Sequence, residues 1–233
     1  MNRISIINCV LLLAFSCTAN EPPRPTPTPP QEEDEFPLVG GGESVLSIEA
    51  VNCERVARVI GKSAEDIPSP NDTPNRFKMA STDFGNMWDA GNGSVFCVFG
   101  DNFNSYGGDW LSNAIAVSTD HDMTNGLYYD SMLWDTSKNK RKEIIHREEG
   151  EVTCIPTGGF SVLHNNHPRQ YINYMSIRQW ALYGDNDSWL TNFNELVYSD
   201  DMGETWIKSG VKWNAESNFA QIAYVVQDDI VYM

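Results

Sequence analysis

Apolar residues in this chain come in short runs, and turn residues return about every ten positions. The runs are Val45 to Val51, Val95 to Phe99, Ala114 to Val117, Phe160 to Leu163, Tyr171 to Ile177, Glu195 to Tyr198, Thr205 to Ile207, Ala220 to Val226 and Ile230 to Met233. None keeps a helical period over any length, and only Cys53 to Ile60 reads equally as helix or strand. Many short strands separated by Gly and Asp turns predict an all-β sandwich, barrel or propeller. The polar span Asp130 to Glu151, with its cationic cluster Lys138 to Lys142, reads as an exposed loop.

One motif narrows the choice. Ser199-Asp200-Asp201-Met202-Gly203-Glu204-Thr205-Trp206 fits Ser-x-Asp-x-Gly-x-Thr-Trp, the Asp box of propeller proteins. Its physics is local: Asp201 accepts backbone N–H groups in a hairpin turn, Gly203 supplies an unusual φ, and Trp206 packs over the turn. Asp201 is therefore structural. A degenerate copy starts at Ser118, 81 positions earlier (199 − 118), which points to repeated units.

The stretch Ser81 to Phe103 carries the chemistry. Val95-Phe96-Cys97-Val98-Phe99, bounded by Gly93 and Gly100, suits a strand buried on both faces, with Asp83 and Asp101 at its shoulders. Two acids on a rigid sheet are what glycosidic bond hydrolysis needs, although Asp beside Gly is also ordinary turn chemistry. Seven Trp, nine Tyr and ten Phe add stacking surface for sugar rings, or simply sheet core. Ile155-Pro156-Thr157-Gly158-Gly159 reads as a tight turn in which the backbone could approach a ligand. Arg178 offers a hydroxyl or carboxylate clamp, and Thr191-Asn192 with Glu195 precede the Asp-box hairpin. His164 and His167 have a metal-like spacing but sit in a turn before Pro168, so a loop tip is expected.

The beginning of the chain sets the compartment. One positive residue, Arg3, an apolar run from Ile4 to Phe15 and then Ser16-Cys17 make residues 1–17 a signal peptide of the lipoprotein type, with Cys17 as the lipidated residue. Export to the outer membrane or the cell surface is expected, with a periplasmic or secreted protein as the alternative. Residues 18–42, rich in Pro, Thr and acids, form a solvated linker, and residues 43–233 form the folded domain. A net charge of −16 excludes nucleic acid and anionic membrane surfaces as partners. The membrane is reached through the lipid alone, and the partner is a polysaccharide. Cys53, Cys97 and Cys154 permit at most one disulfide. No metal or cofactor motif is present, and phosphate loops, Rossmann fingerprints and nucleophile elbows are missing from the sequence.

Taken in order, Thr82-Asp83-Phe84-Gly85, Val98-Phe99-Gly100-Asp101-Asn102-Phe103, Ile155-Pro156-Thr157-Gly158-Gly159, Tyr174 to Trp180 and Thr191-Asn192 running into the Asp box resemble a bacterial secreted family, domain of unknown function 4185. The resemblance implies a five-bladed β-propeller and an endo-D-arabinofuranosidase-like glycoside hydrolase. It further implies Asp83 and Asp101 as the catalytic pair and Thr157, Gly158, Arg178 and Asn192 as sugar contacts. About ten strands make two to three blades, where closure needs at least four. The expectation is thus an incomplete ring, with a non-catalytic glycan-binding lipoprotein as the alternative function.

Overall fold

Strand-forming sequence dominates the architecture, as the short β-branched and aromatic runs require. The computed structural model describes residues 53–105, 108–180, 189–227 and 230–233. The expected signal segment, the linker and the strand at Val45 to Val51 lie outside these residues. Val56–Met233 belong to one compact unit and Cys53–Arg55 to another; the architecture is that of the former. The stretch read as helix or strand, Cys53 to Ile60, forms neither.

A single helical turn, α1 (Thr73–Phe77), leads into β1 (Ser81–Thr82), β2 (Asn86–Asp89), β3 (Val95–Phe99), β4 (Asn102–Phe103), β5 (Ala114–Ser118) and β6 (Ser131–Met132). Next come β7 (Trp134–Asp135), β8 (Lys140–Arg141), β9 (Thr153–His164), β10 (His167–Trp180), β11 (Trp189–Ser199), β12 (Ile207–Asn214), β13 (Val225–Gln227) and β14 (Ile230–Tyr232). Two four-stranded antiparallel meanders result, in the orders β2-β3-β5-β6 and β9-β10-β11-β12, and β1 pairs with β4 in a separate ribbon. The leading strands β2 and β9 lie against each other.

Alternation along β3 explains the core. Phe96 and Val98 join Trp88 and Ile115 in one cluster with Cys154, Ile172, Tyr174 and Val197 of the second meander. Cys97 and Phe99 point the other way, against Phe77, Met79, Leu127 and Tyr129. The expected strand buried on both faces is therefore present. Trp88 also donates from Nε1 to Gln170 Oε1 at 2.8 Å, and Gln170 Nε2 donates to Ala90 O at 2.8 Å.

The Asp box is built as its physics demands. Thr205 N–H donates to Asp201 Oδ1 at 2.8 Å, Gly203 has φ of 88°, and Trp206 Nε1 donates to Gly203 O at 2.9 Å. Ser118 and Ser199 both end the third strand of their meander. At the earlier copy Asp120 N–H donates to Ser118 Oγ at 3.0 Å, and Tyr128 N–H donates to Asp120 Oδ2 at 2.9 Å. The two serines thus mark the same corner of the two meanders, although at the earlier one Thr124 N–H donates to Asp122 rather than to Asp120. His164 and His167 flank a two-residue turn through Asn165 and Asn166, both at positive φ, so the loop tip stands as expected.

Two expectations need correction. The span Asp130 to Glu151 is not simply an exposed loop: it contains β6, β7 and β8, buries Ile144 and Ile145, and encloses Arg141 completely. Ile155 to Gly159 is not a turn but lies within β9, with a register shift near Thr157. Its glycines serve packing. A Cβ on Gly159 would stand inside the Trp88 indole, and one on Gly158 would meet Ile222 O and the Tyr224 ring. Gly159→Ala is accordingly expected to destabilise the fold by about 1–3 kcal/mol, measured as a lower urea unfolding midpoint.

Candidate active site

Asp83 and Asp101 face each other across the β1–β4 ribbon. Thr82 pairs with Asn102, and the next step brings Asp83 opposite Asp101. Asp83 N–H donates to Asp101 O at 2.8 Å, and Gly100 N–H donates to Asp83 O at 2.9 Å. The second bond comes from Gly100 rather than Asp101, so two residues oppose one as in a β-bulge, and the two backbones are held together without help from either carboxylate. The sequence placed the acids at the shoulders of a strand; the ribbon that joins them is the structure's addition.

Their surroundings differ. Asp101 is buried, and its Oδ1 accepts from Thr153 Oγ1, at the start of β9, at 2.6 Å. Burial raises the Asp101 pKa, and the charge of Asp83 raises it further. Hydrogen bonds from Thr153 and Trp110 and the charge of Arg147 act in the opposite sense without reversing the shift. Asp83 is open to solvent at its surface, yet protein atoms crowd it enough that partial dehydration raises its pKa as well. Both acids therefore hold their protons to higher pH than a free aspartate.

Arg141 holds this arrangement in place. Its side chain is fully buried, a costly position for a charge unless every donor is used. Nε donates to Asn102 Oδ1, and Nη2 donates to Asn102 O at 3.1 Å and to Asp109 O. Nη1 donates to Lys78 O at 2.5 Å and pairs with Asp109 Oδ2 at 3.1 Å. One guanidinium thus fastens the residue after Asp101 to the residue before Trp110. Trp110 in turn carries the Arg147 guanidinium 4.5 Å from its ring centroid. Sequence reading missed Thr153, Trp110, Arg147 and Arg141. Arg141 sat in a Lys-rich run that resembles any solvated loop, and no local pattern marks the other three.

The remaining expected contacts are placed as follows. Arg178, exposed just beyond the Ile177–Thr153 pair, lies at the same end of the second meander as Thr153, and its Nε reaches Thr191 O at 3.5 Å. Asn192 donates to Gly150 O at 3.2 Å and to Ser176 Oγ at 3.1 Å, and Ser176 donates to Glu151 Oε1 at 2.6 Å. Neither bonds to the ribbon that carries the acids. Thr157 and Gly158 are not brought to the carboxylates. Thr157 is four residues beyond Thr153, about 13 Å along an extended strand, and its Oγ1 accepts from Asn173 Nδ2 at 2.9 Å. Glu195 is buried rather than on a solvent face, and its Oε2 accepts from Tyr174 at 2.9 Å and pairs with Lys212 at 3.4 Å. Among the described residues no group of three or more His, Cys, Asp or Glu could hold a metal ion.

A family model described as Domain of unknown function (DUF4185) matches residues 68–233. No curated protein matches the chain.

A raised carboxyl pKa has a defined consequence for stability. The folded chain binds a proton that the unfolded chain has already released, so stability falls as pH rises from the ordinary aspartate value of 3.8 through the folded one. It is fully regained below 3.8. Asp101→Asn, which cannot ionise, is expected to melt at a higher temperature than the native chain at neutral pH. That advantage should vanish in acid, and thermal scans at the two pH values check it.

Proposed function

The chain belongs to the DUF4185 family, whose model spans residues 68–233, and on that footing we propose that it is an exported glycoside hydrolase. Its substrate class is a furanose polysaccharide such as D-arabinan, cut at internal linkages. The observation that carries this reading is the backbone-locked opposition of Asp83 and Asp101, with both carboxyls raised in pKa. In such a pair one carboxylic acid protonates the leaving glycosidic oxygen, while the other carboxylate attacks the anomeric carbon or draws a proton from water. Burial of Asp101, to which the charge of Asp83 adds, and partial dehydration of Asp83 keep protons on these carboxyls to higher pH than on isolated aspartates.

The two meanders are read as consecutive blades of a β-propeller, the second ending its third strand in the Asp-box turn and the first in its degenerate copy. Adjacency of β2 and β9 supports this, since leading strands of neighbouring blades line a common axis. The acids, Thr153 and Arg178 then gather at one mouth of that axis. Cys17 serves as the lipid anchor, and the acidic, Pro-rich linker lifts the domain from the outer membrane.

Incubation with arabinan and arabinogalactan tests the assignment. Oligosaccharide release is expected, with a fall of at least ~10²-fold for Asp83→Asn and for Asp101→Asn. Full rates in both variants would refute it. Glycan binding without turnover, unchanged in both variants, would select the non-catalytic glycan-binding lipoprotein instead.

A further inference from the structure

Phe84, between the two acids, has a backbone that its side chain does not favour. Its φ is 58°, in the left-handed region that costs an L-residue about 1–2 kcal/mol and is an outlier for a bulky one. Most other non-glycine residues at positive φ among those described are Asp, Asn or Lys in turns, and Met202 packs against the core. Phe84 is the one aromatic among them, and although its ring packs on Gly100 the residue stays 38% exposed.

The neighbours of Phe84 explain how this conformation is held. The bonds from Asp83 N–H to Asp101 O and from Gly100 N–H to Asp83 O fix the chain just before it. The ring then lies over Gly100, where a Cβ would come within 3.3 Å of Phe84 Cδ2. Glycine at position 84 would relax the backbone, and a polar residue would suit the solvent. A partly exposed phenyl ring thus stands on a strained backbone, directly after one acid and over the residue preceding the other, where strain is commonly kept for function.

We propose that Phe84 is a substrate-contact residue, its ring offering an apolar platform to the C–H face of the sugar beside the bond to be cleaved. This rests on the glycoside hydrolase reading of Asp83 and Asp101. A flat furanose face would stack on the ring while its hydroxyls remain free for polar partners. The contact selects for sugar residues with an unsubstituted C–H face at that position.

The test uses Phe84→Gly, Phe84→Leu and Phe84→Trp in the full chain, with soluble D-arabinan as the probe. Affinity is read by calorimetry in the Asp101→Asn background, and stability by urea unfolding. Phe84→Gly should be at least as stable as its parent and bind about tenfold more weakly. Phe84→Leu keeps the bulk and the strain but not the aromatic face, and should lose a similar factor; Phe84→Trp should retain binding. In the hydrolytically intact chain, KM should rise more than kcat falls. Native affinity in Phe84→Leu, or in a folded Phe84→Gly, overturns the inference while leaving the catalytic pair standing. An absence of arabinan binding in the parent overturns both.

Discussion

A charge buried without water must be satisfied by the protein around it, and the guanidinium of Arg141 meets this condition through Lys78, Asn102 and Asp109, which lie 63, 39 and 32 positions from it. Asn102 supplies a side-chain and a main-chain oxygen, Lys78 a carbonyl, and Asp109 a carbonyl and a carboxylate. Asn102 also donates to Gly100 O at 2.9 Å and to Leu111 O at 3.2 Å. The turn after β3 is thereby pinned from both sides. Removing one partner of such a cluster leaves a buried charge or orphaned oxygens, typically a loss of about 3–5 kcal/mol. The position of Asp101, one residue before Asn102, depends on that cluster.

From this anchor the electrostatics of the acids follow. The ribbon leads to Asp83 and Asp101, burial withdraws water from Asp101 and in part from Asp83, and the charge of Asp83 makes the ionisation of Asp101 harder. Trp110 and Thr153 reach Asp101 from two directions, the first carried next to the Arg141-bound Asp109 and the second at the first residue of β9. The loop before β5 and the first residue of β9 thus contribute to one carboxyl environment. The packing of Trp88 onto Gly159 brings β2 and β9 into contact and so helps to set the distance between those contributions.

Much of this was legible in the residues, because strand signals and turn chemistry are local. The apolar run Val95 to Phe99 is β3, the Asp box has the predicted bonds, and the weak echo at Ser118 marks the same corner of the first meander. What escaped was non-local. Arg141 lies 39 residues from Asn102, and nothing in Lys138-Asn139-Lys140-Arg141-Lys142 distinguishes the one cation that is buried from those around it. Gly158 and Gly159 look like turn formers in isolation, whereas their purpose is to admit Trp88, Ile222 and Tyr224 against a continuous strand. Phe84 was legible only as part of the turn around Asp83, and nothing local marks its left-handed backbone, which follows the bonds of Asp83 to Asp101 and Gly100.

That Asp83 and Asp101 share one electrostatic environment is the premise beneath everything functional. Carbon-13 titration of the Asp101 carboxyl, in the native chain and in Asp83→Asn, measures it directly. Removing the neighbouring charge should lower the Asp101 midpoint, because that charge holds it up. A midpoint that does not move would mean the two acids ignore each other, and the paired-carboxylate account would be contradicted.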